Sequence, residues 1–217
     1  MSALKREIEH IGFLFQQGGI RKLYEYVSEN IAFDLKNGIE TSMWLEKGDF
    51  TSHPPMFDHG VRYRASLTSE VLQAFQKIAG LMPQASFFDM GCGKGKVLCL
   101  AAKTGLFSHI TGIDYYPVFL KTAEQNLKNL KQTGVSLVEA DMTKFDDFAP
   151  DSIIYMYNPA DLVVIDKVRE NLEKTCRRAI VIYNKPLHAE VFKDWRVIDY
   201  KTSPDLDRNT TIFGFNV

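Results

Sequence analysis

The apolar positions along the chain change period at Ser86. Upstream, Ile8, Ile11 and Phe15 fall three and four residues apart, as do Ile20, Leu23, Tyr24 and Val27, so each run predicts a helix with one apolar stripe. Gly18-Gly19 separates the two. Residues 34–64 hold no sustained period and carry Pro54-Pro55 with several glycines, which predicts a long irregular segment of the kind that serves as a lid or binding loop. A further helix has Val71, Leu72, Phe75, Ile78 and Ala79 on one face and stops at Gly80. From Ser86 onward, strand-like and helical runs alternate. SFFDM, HITGID, VSLVEAD, SIIYMYN and RAIVIYN read as strands, GKVLCLAAKTG reads as a helix ending at Gly105, and Pro117 opens a helix striped by Phe119, Ala123, Leu127 and Leu130. Ile165, Val168 and Leu172 stripe another. Five strands with four crossings demand a parallel sheet covered on both faces. WRVIDYKT and NTTIFGFN are joined only by a turn around Ser203-Pro204-Asp205, so they should pair as an antiparallel hairpin at the end of the sheet.

At 217 residues, the chain is long enough for one α/β domain with an appendage. We expect residues 1–64 to form a helical cover with a lid segment and residues 65–217 to form the α/β domain. A mean hydropathy of −0.17 excludes a disordered chain, a collagenous one and a membrane channel. Lys+Arg 26 against Asp+Glu 27 leaves a charge of −1, so no overall footprint for nucleic acid or an anionic membrane is present. The start, MSALKREIEHIGFLF, lacks the uninterrupted apolar core of a signal peptide, and no run of 18 apolar residues occurs. A cytoplasmic protein without a spanning helix is expected. Cys92, Cys99 and Cys176 form no CxxC pair and no ligand spacing with the histidines, so they read as buried reduced thiols and no metal is expected.

The chemistry concentrates in FFDMGCGKGKVL. A strand ends in Asp89, and Gly91, Gly93 and Gly95 follow on alternate positions before a helix. Glycines there let the backbone approach a ligand, and the helix start points free N–H groups at it. The spacing is DxGxGxG, unlike the GxGxxG that cradles a dinucleotide pyrophosphate. Asp89 would repel a pyrophosphate and suits a cationic ligand. Lys94 and Lys96 read as solvated helix residues, because GCGKGK is too short for a phosphate-binding P-loop.

In these residues the sequence resembles the class I S-adenosylmethionine-dependent methyltransferases, whose first motif is D/E-x-G-x-G-x-G. The resemblance covers roughly residues 60–217 and implies a Rossmann-like, seven-stranded, mostly parallel sheet with a C-terminal antiparallel hairpin and an N-terminal helical extension. It implies S-adenosyl-L-methionine as cofactor, with Asp89, Gly91, Cys92, Gly93 and Gly95 forming the loop that holds the methionine and ribose parts. Asp114, with Tyr115 beside it, takes the place of the acid that accepts the ribose hydroxyls, close to the roughly 20-residue interval seen for ribose-binding acids. Its loss is expected to abolish cofactor binding and leave the fold intact. Asp141 and Met142 take the positions beside the adenine.

The fourth strand ends in Tyr155-Met156-Tyr157-Asn158-Pro159-Ala160, which the family places beside the transferable methyl. An NPPY-type motif would have a second proline and an aromatic residue here, and neither is present. The arrangement is more similar to small bacterial class I methyltransferases, and more distantly to the non-SET lysine methyltransferases. In both, an upstream segment closes over the cofactor. GIETS with HGVRYRAS resembles that cover, with Tyr63 reaching the methionine end. Tyr157 and Asn158 are the candidate catalytic residues. Asn158 reads equally well as an Asx turn before a helix capped by Asp161, and Tyr63 as an aromatic anchor for the loop. Tyr155, Tyr157, Tyr183 and Asn184 could wall a cationic centre, with two of them turned to the core by pleat alternation. Glu139, Asp141, Asp146, Asp147 and Asp151 against Lys144 favour a basic acceptor, or form a solvated loop.

The expected function is methyl transfer to an acceptor such as a protein lysine or a small amine. A nicotinamide-dependent oxidoreductase and a non-catalytic partner-binding module remain as alternatives. Oligomeric state is open.

Overall fold

A computed structural model describes residues 3–42 and 63–217. The chain begins with α1 (Ala3–Tyr26), a π-helical turn at Val27–Ile31 and α2 (Ala32–Asn37). Gly18 and Gly19 interrupt α1 with non-helical backbone, Gly19 at φ 62 and ψ −149, where the sequence predicts the break. Helix reaches Asn37, further than the irregular segment expected from residue 34. It ends in a left-handed Gly38 at φ 64, whose N–H and that of Ile39 return to the carbonyls of Leu35 and Asp34. The predicted stripes of the first helices do not face the core. Ile11, Phe15, Ile20, Tyr24 and Val27 are exposed, Leu23 is half-buried, and Leu14 and Tyr26 are buried instead. Pro54-Pro55, His53 and His59 lie outside the described residues.

After α3 (Thr68–Ile78) come β1 (Ser86–Met90), α4 (Lys96–Thr104), β2 (Ile110–Asp114), α5 (Pro117–Asn129), β3 (Val135–Glu139) and β4 (Asp151–Tyr157). Then follow α6 (Leu162–Thr175), β5 (Arg178–Asn184), β6 (Arg196–Lys201) and β7 (Thr210–Phe215), with short 3₁₀ turns at Ala189–Phe192 and Leu206–Arg208. Pro117 starts α5, where a missing N–H costs nothing. Asp161 caps α6 by accepting from the Val164 amide at 3.3 Å. Between β3 and β4, the one crossing for which the sequence names no helix, none is formed. Phe145 and Phe148 of that loop pack on Phe88 and cover the sheet in its place.

The seven strands run β3-β2-β1-β4-β5-β7-β6. The first five named are parallel, and β7 lies antiparallel between β5 and β6. Pleat alternation sorts the core into two layers. Phe87, Ile153 and Ile180 face α3 and α4, whereas Phe88, Ile154 and Val181 face α6. Asp89, Tyr155 and Tyr157 share the parity of Phe87 and Ile153, so the sheet delivers all three to the α3 and α4 side. Strand order reverses between β1 and β4. Ligands of open α/β sheets bind at such a switch point, outside the carboxyl ends of the strands. No helix of the described residues is long and apolar enough to cross a membrane.

Candidate functional site

At the carboxyl ends of β1 and β4 an open cavity is lined by Tyr63, Asp89, Gly91, Cys92, Gly93, Asp114, Tyr115, Met142, Tyr155 and Tyr157, among others. The glycine loop forms its floor. The amides of Gly91 and Cys92 donate to the Ile113 carbonyl at 2.8 and 3.0 Å, tying the loop to β2. Gly93, at φ 52, lies directly under the Tyr63 ring, and a Cβ there would collide with that ring. Tyr63 is held in turn by its hydroxyl, which donates to the Thr41 carbonyl at 2.8 Å. Thr41 and Ser42 donate their amides, and Thr41 its hydroxyl, to the buried Asp34 carboxylate at 2.6 to 2.7 Å. The α2 end therefore clamps Tyr63 onto the loop.

Asp114 closes one wall. Its two oxygens accept the Gly93 amide at 2.8 Å and the Tyr116 amide at 2.9 Å. Each carboxylate oxygen has a second lone pair, so both remain able to accept from a ligand hydroxyl. Burial pushes its carboxyl up to about 6, against the pull of those amides. Asp89 is 3% exposed. None of the hydrogen bonds among the described residues reaches its carboxylate, and burial together with the Asp114 charge raises it well above the usual carboxylate range. Two adjacent buried carboxylates, one without a hydrogen-bond donor among the described residues, suit a ligand that brings positive charge and hydroxyls. They are a poor match for a pyrophosphate.

The remaining candidates spread around this cavity. Cys92 and Met142 are buried in its wall, and Tyr115 stands beside Asp114 with its phenol pushed up to about 12 by burial and that charge. Gly95 lies behind the wall. It ends the loop at φ 79 against Ala123 of α5, where a Cβ would come within 2.9 Å, so its bareness serves helix packing. Asp141 lies outside the lining residues too, its Oδ1 accepting the Thr143 amide and hydroxyl at 2.9 and 2.7 Å. Tyr155 is buried in the cavity wall and donates to Ser66 Oγ at 3.0 Å. Tyr183 faces the other side of the sheet, and its hydroxyl donates to Asn158 Oδ1 at 3.1 Å.

A second, larger and open space adjoins the first and shares Tyr157 and Arg64 with it. It runs between α1, the ends of β4 and β5 and the turn before β7, and Asn158 lines it. The Tyr157 phenol is set against the Arg64 guanidinium and the Asp207 carboxylate, and burial raises it well above its ordinary range. Asp207 itself pairs with Arg64 at 2.5 Å and Lys185 at 3.1 Å. Those cations hold its carboxyl below the usual value in spite of burial.

Several of these residues carry no local signal in the sequence. Arg64 and Asp207 meet only because the turn before β7 folds back over β4. Lys94 and Lys96 are not solvated: each is 3% exposed. Lys94 pairs with Glu40 at 2.6 Å, and Lys96 donates to the Glu29 carbonyl at 2.7 Å and Asn30 Oδ1 at 2.6 Å. Both fix the N-terminal segment to the glycine loop, the opposite of the surface role expected. The acidic run also falls away from the site. Asp151 is neutralised by Arg177 and Arg178 at 2.7 and 2.6 Å, and among residues 139–151 only Met142 lines either space. All three cysteines are buried and free, and no cluster of metal-ligating side chains occurs among the described residues.

Comparison with known proteins agrees with this geometry. Residues 82–193, more than half of the chain, match a family model described as a methyltransferase domain. Among solved structures, the chain is similar in fold to a putative methyltransferase from Escherichia coli, at 17% identity and a TM-score of 0.57 over 71% of this chain and 94% of that one. It is also similar to an N-methyltransferase from Bradyrhizobium japonicum in complex with S-adenosylhomocysteine, at 12% identity and a TM-score of 0.53 over 68% and 85%. An RNA methyltransferase from Salinibacter ruber, likewise in complex with S-adenosylhomocysteine, matches at 17% identity and a TM-score of 0.52 over 70% and 92%. With this sheet order, this glycine loop and a family match spanning both, the chain belongs to the methyltransferase-domain family and is a class I S-adenosylmethionine-dependent methyltransferase.

Proposed function

We propose that the cavity between the glycine loop and Tyr63 holds S-adenosylmethionine and that the adjoining groove admits a small amine as methyl acceptor. The observation that carries this reading is the shared wall: Tyr157 and Arg64 line both spaces. Asp114 would take the ribose hydroxyls, and Asp89 the cationic amino-acid end. Gly91 and Gly93 would give the backbone approach, and Met142 would lie against the adenine. Tyr63 closes the top. Bound there, the cofactor supplies an electrophilic methyl on a sulfonium sulfur.

The protein's part is to hold the acceptor in line and keep water out. An amine must also be neutral when it attacks. Burial beside Tyr157 and the nearby charges of Arg64, Lys22 and Lys185 disfavour an ammonium, so its proton is released to solvent as it enters. Tyr157, whose phenol stays protonated, can then accept an N–H of the neutral amine on its oxygen, which leaves the nitrogen lone pair free for the methyl. A lysine-rich protein fits the groove less well, because among the described residues every carboxylate lining it is already ion-paired with a cation of this chain.

The reading is tested by incubating the protein with methyl-labelled S-adenosylmethionine and, in parallel, a panel of low-molecular-weight amines and a lysine-rich protein. Label should appear in the small-molecule fraction, at a rate that rises with pH as the amine loses its proton. Label confined to the protein fraction would overturn it.

A further inference from the structure

The groove's chemistry narrows the acceptor further, on the understanding that the cavity beside it is the cofactor site. Asn158 and Lys185 follow the ends of β4 and β5, which pair in parallel with Tyr157 opposite Asn184. The two residues therefore leave neighbouring strand ends side by side, and both line the groove. Both also take positive φ, 37 and 52. Residues with a Cβ enter that region at an energetic cost, and such strain collects at functional positions.

Their polar atoms are biased toward donation. Asn158 Oδ1 already accepts the Tyr183 hydroxyl, which leaves the amide nitrogen with its two N–H donors for the groove. Lys185 Nζ spends one donor on Asp207 at 3.1 Å and has two more. The surrounding charge has the same sign. Among the described residues, four cationic side chains line the groove, Arg21, Lys22, Arg64 and Lys185, against the carboxylates Glu25, Asp205 and Asp207. Lys22 pairs with all three carboxylates, and Arg64 and Lys185 share Asp207. Among the described residues no carboxylate is left to receive a cationic substrate chain, whereas the donors at the two strand ends face a net positive wall.

We propose that the acceptor amine carries an anionic oxygen group, a carboxylate or a phosphate, and that Lys185 and Asn158 grip this group while the amine lies at Tyr157. The anion supplies the attraction that an amine alone would lack in a cationic groove. It also fixes which end of the molecule reaches Tyr157, since the opposite orientation would set the anion in the neighbourhood of Asp89 and Asp114.

The test is titration calorimetry at low salt on protein first saturated with S-adenosylhomocysteine. Succinate and inorganic phosphate serve as the anionic probes and spermidine as the cationic one. Failure of S-adenosylhomocysteine to bind would refute the cofactor reading itself, and the experiment would stop there. With that ligand bound, one of the two anions should bind in the millimolar range, and the tighter of them identifies carboxylate or phosphate as the recognised group. Lys185→Gln should weaken that binding about tenfold while leaving S-adenosylhomocysteine affinity unchanged, as expected for losing one charge-assisted contact. Added salt should weaken it as well. Binding of spermidine but of neither anion would overturn the proposal, as would anion binding that Lys185→Gln leaves unaltered.

Discussion

Replacing Asp114 separates two jobs that the structure assigns to one carboxylate. Its oxygens hold the Gly93 and Tyr116 amides at 2.8 and 2.9 Å, and their remaining lone pairs are the ribose acceptors in the proposed complex. Asp114→Ala orphans both amides in a buried site, at about 1–3 kcal/mol each. That is a large share of a typical domain stability of about 5–15 kcal/mol. The expectation that loss of Asp114 spares the fold is therefore not met by this geometry. Asp114→Asn is the cleaner perturbation. Its single carbonyl oxygen keeps one amide bond, and its NH₂ must face the other N–H, so about 1–3 kcal/mol of stability is lost. One charge-assisted ribose contact, worth about 1.5–3 kcal/mol, is lost as well. S-adenosylhomocysteine affinity should fall by roughly 10- to 150-fold. Wild-type affinity should also decline below pH 6, by up to about tenfold per pH unit, because the carboxyl titrates at about 6 and only its ionised form accepts two hydroxyls. The variant should lose that contribution and keep only the pH dependence that the Asp89 carboxyl adds. Calorimetry across pH 5–8, with urea denaturation of the same samples, reads both effects. An affinity within threefold of wild type, combined with a clear stability loss, would show that Asp114 only ties the loop and would refute the ribose assignment.

Three further outcomes follow from the same contacts. Gly93→Ala places a Cβ on the Tyr63 ring at φ 52 and should weaken S-adenosylhomocysteine binding at least tenfold. Adding Tyr63→Ala should recover part of that loss, and strictly additive effects in the double variant would contradict direct packing. Lys96, buried against Glu29, Asn30 and the Phe33 ring, is pulled from 10.5 to about 7 by desolvation. Between those values the unfolded chain holds a proton that the folded chain lacks, so this group makes stability rise with pH across that window. Lys96→Met should flatten the rise in urea midpoint from pH 7 to 9, and an unchanged slope would show that another group is responsible. Tyr157→Phe should lower kcat for methyl transfer and leave S-adenosylhomocysteine affinity within about twofold. A large affinity loss with unchanged kcat would move Tyr157 out of the acceptor site.

The elements that sequence made legible are those set by local signals. SFFDM became Ser86–Met90 without adjustment, because a strand feeding a run of alternate glycines has few other conformations. Pro117 and Asp161 likewise start their helices by rules that need no tertiary context. The hairpin WRVIDYKT with NTTIFGFN was readable from its turn, although β7 and not β6 lies against β5. What stayed hidden was decided by packing between distant segments. The apolar periods of α1 marked helices but not their orientation, which depends on the backbone angles at Gly18-Gly19. Lys94 and Lys96 look like surface lysines until Glu40 and the π-helical turn close over them. Arg64 and Asp207 are 143 positions apart and carry no motif, yet they bracket Tyr157. The acidic run at 139–151 suggested an acceptor charge, but Arg177 and Arg178 neutralise Asp151 away from the groove.

The cavity floored by Gly91 and Gly93 and walled by Asp89 and Asp114 is the proposed S-adenosylmethionine site. Titration calorimetry of the purified protein with S-adenosylmethionine, S-adenosylhomocysteine and, as control, NAD(H) tests it most directly. The first two should bind in the micromolar range and NAD(H) should not bind. Binding of NAD(H), or of none of the three, would contradict that assignment.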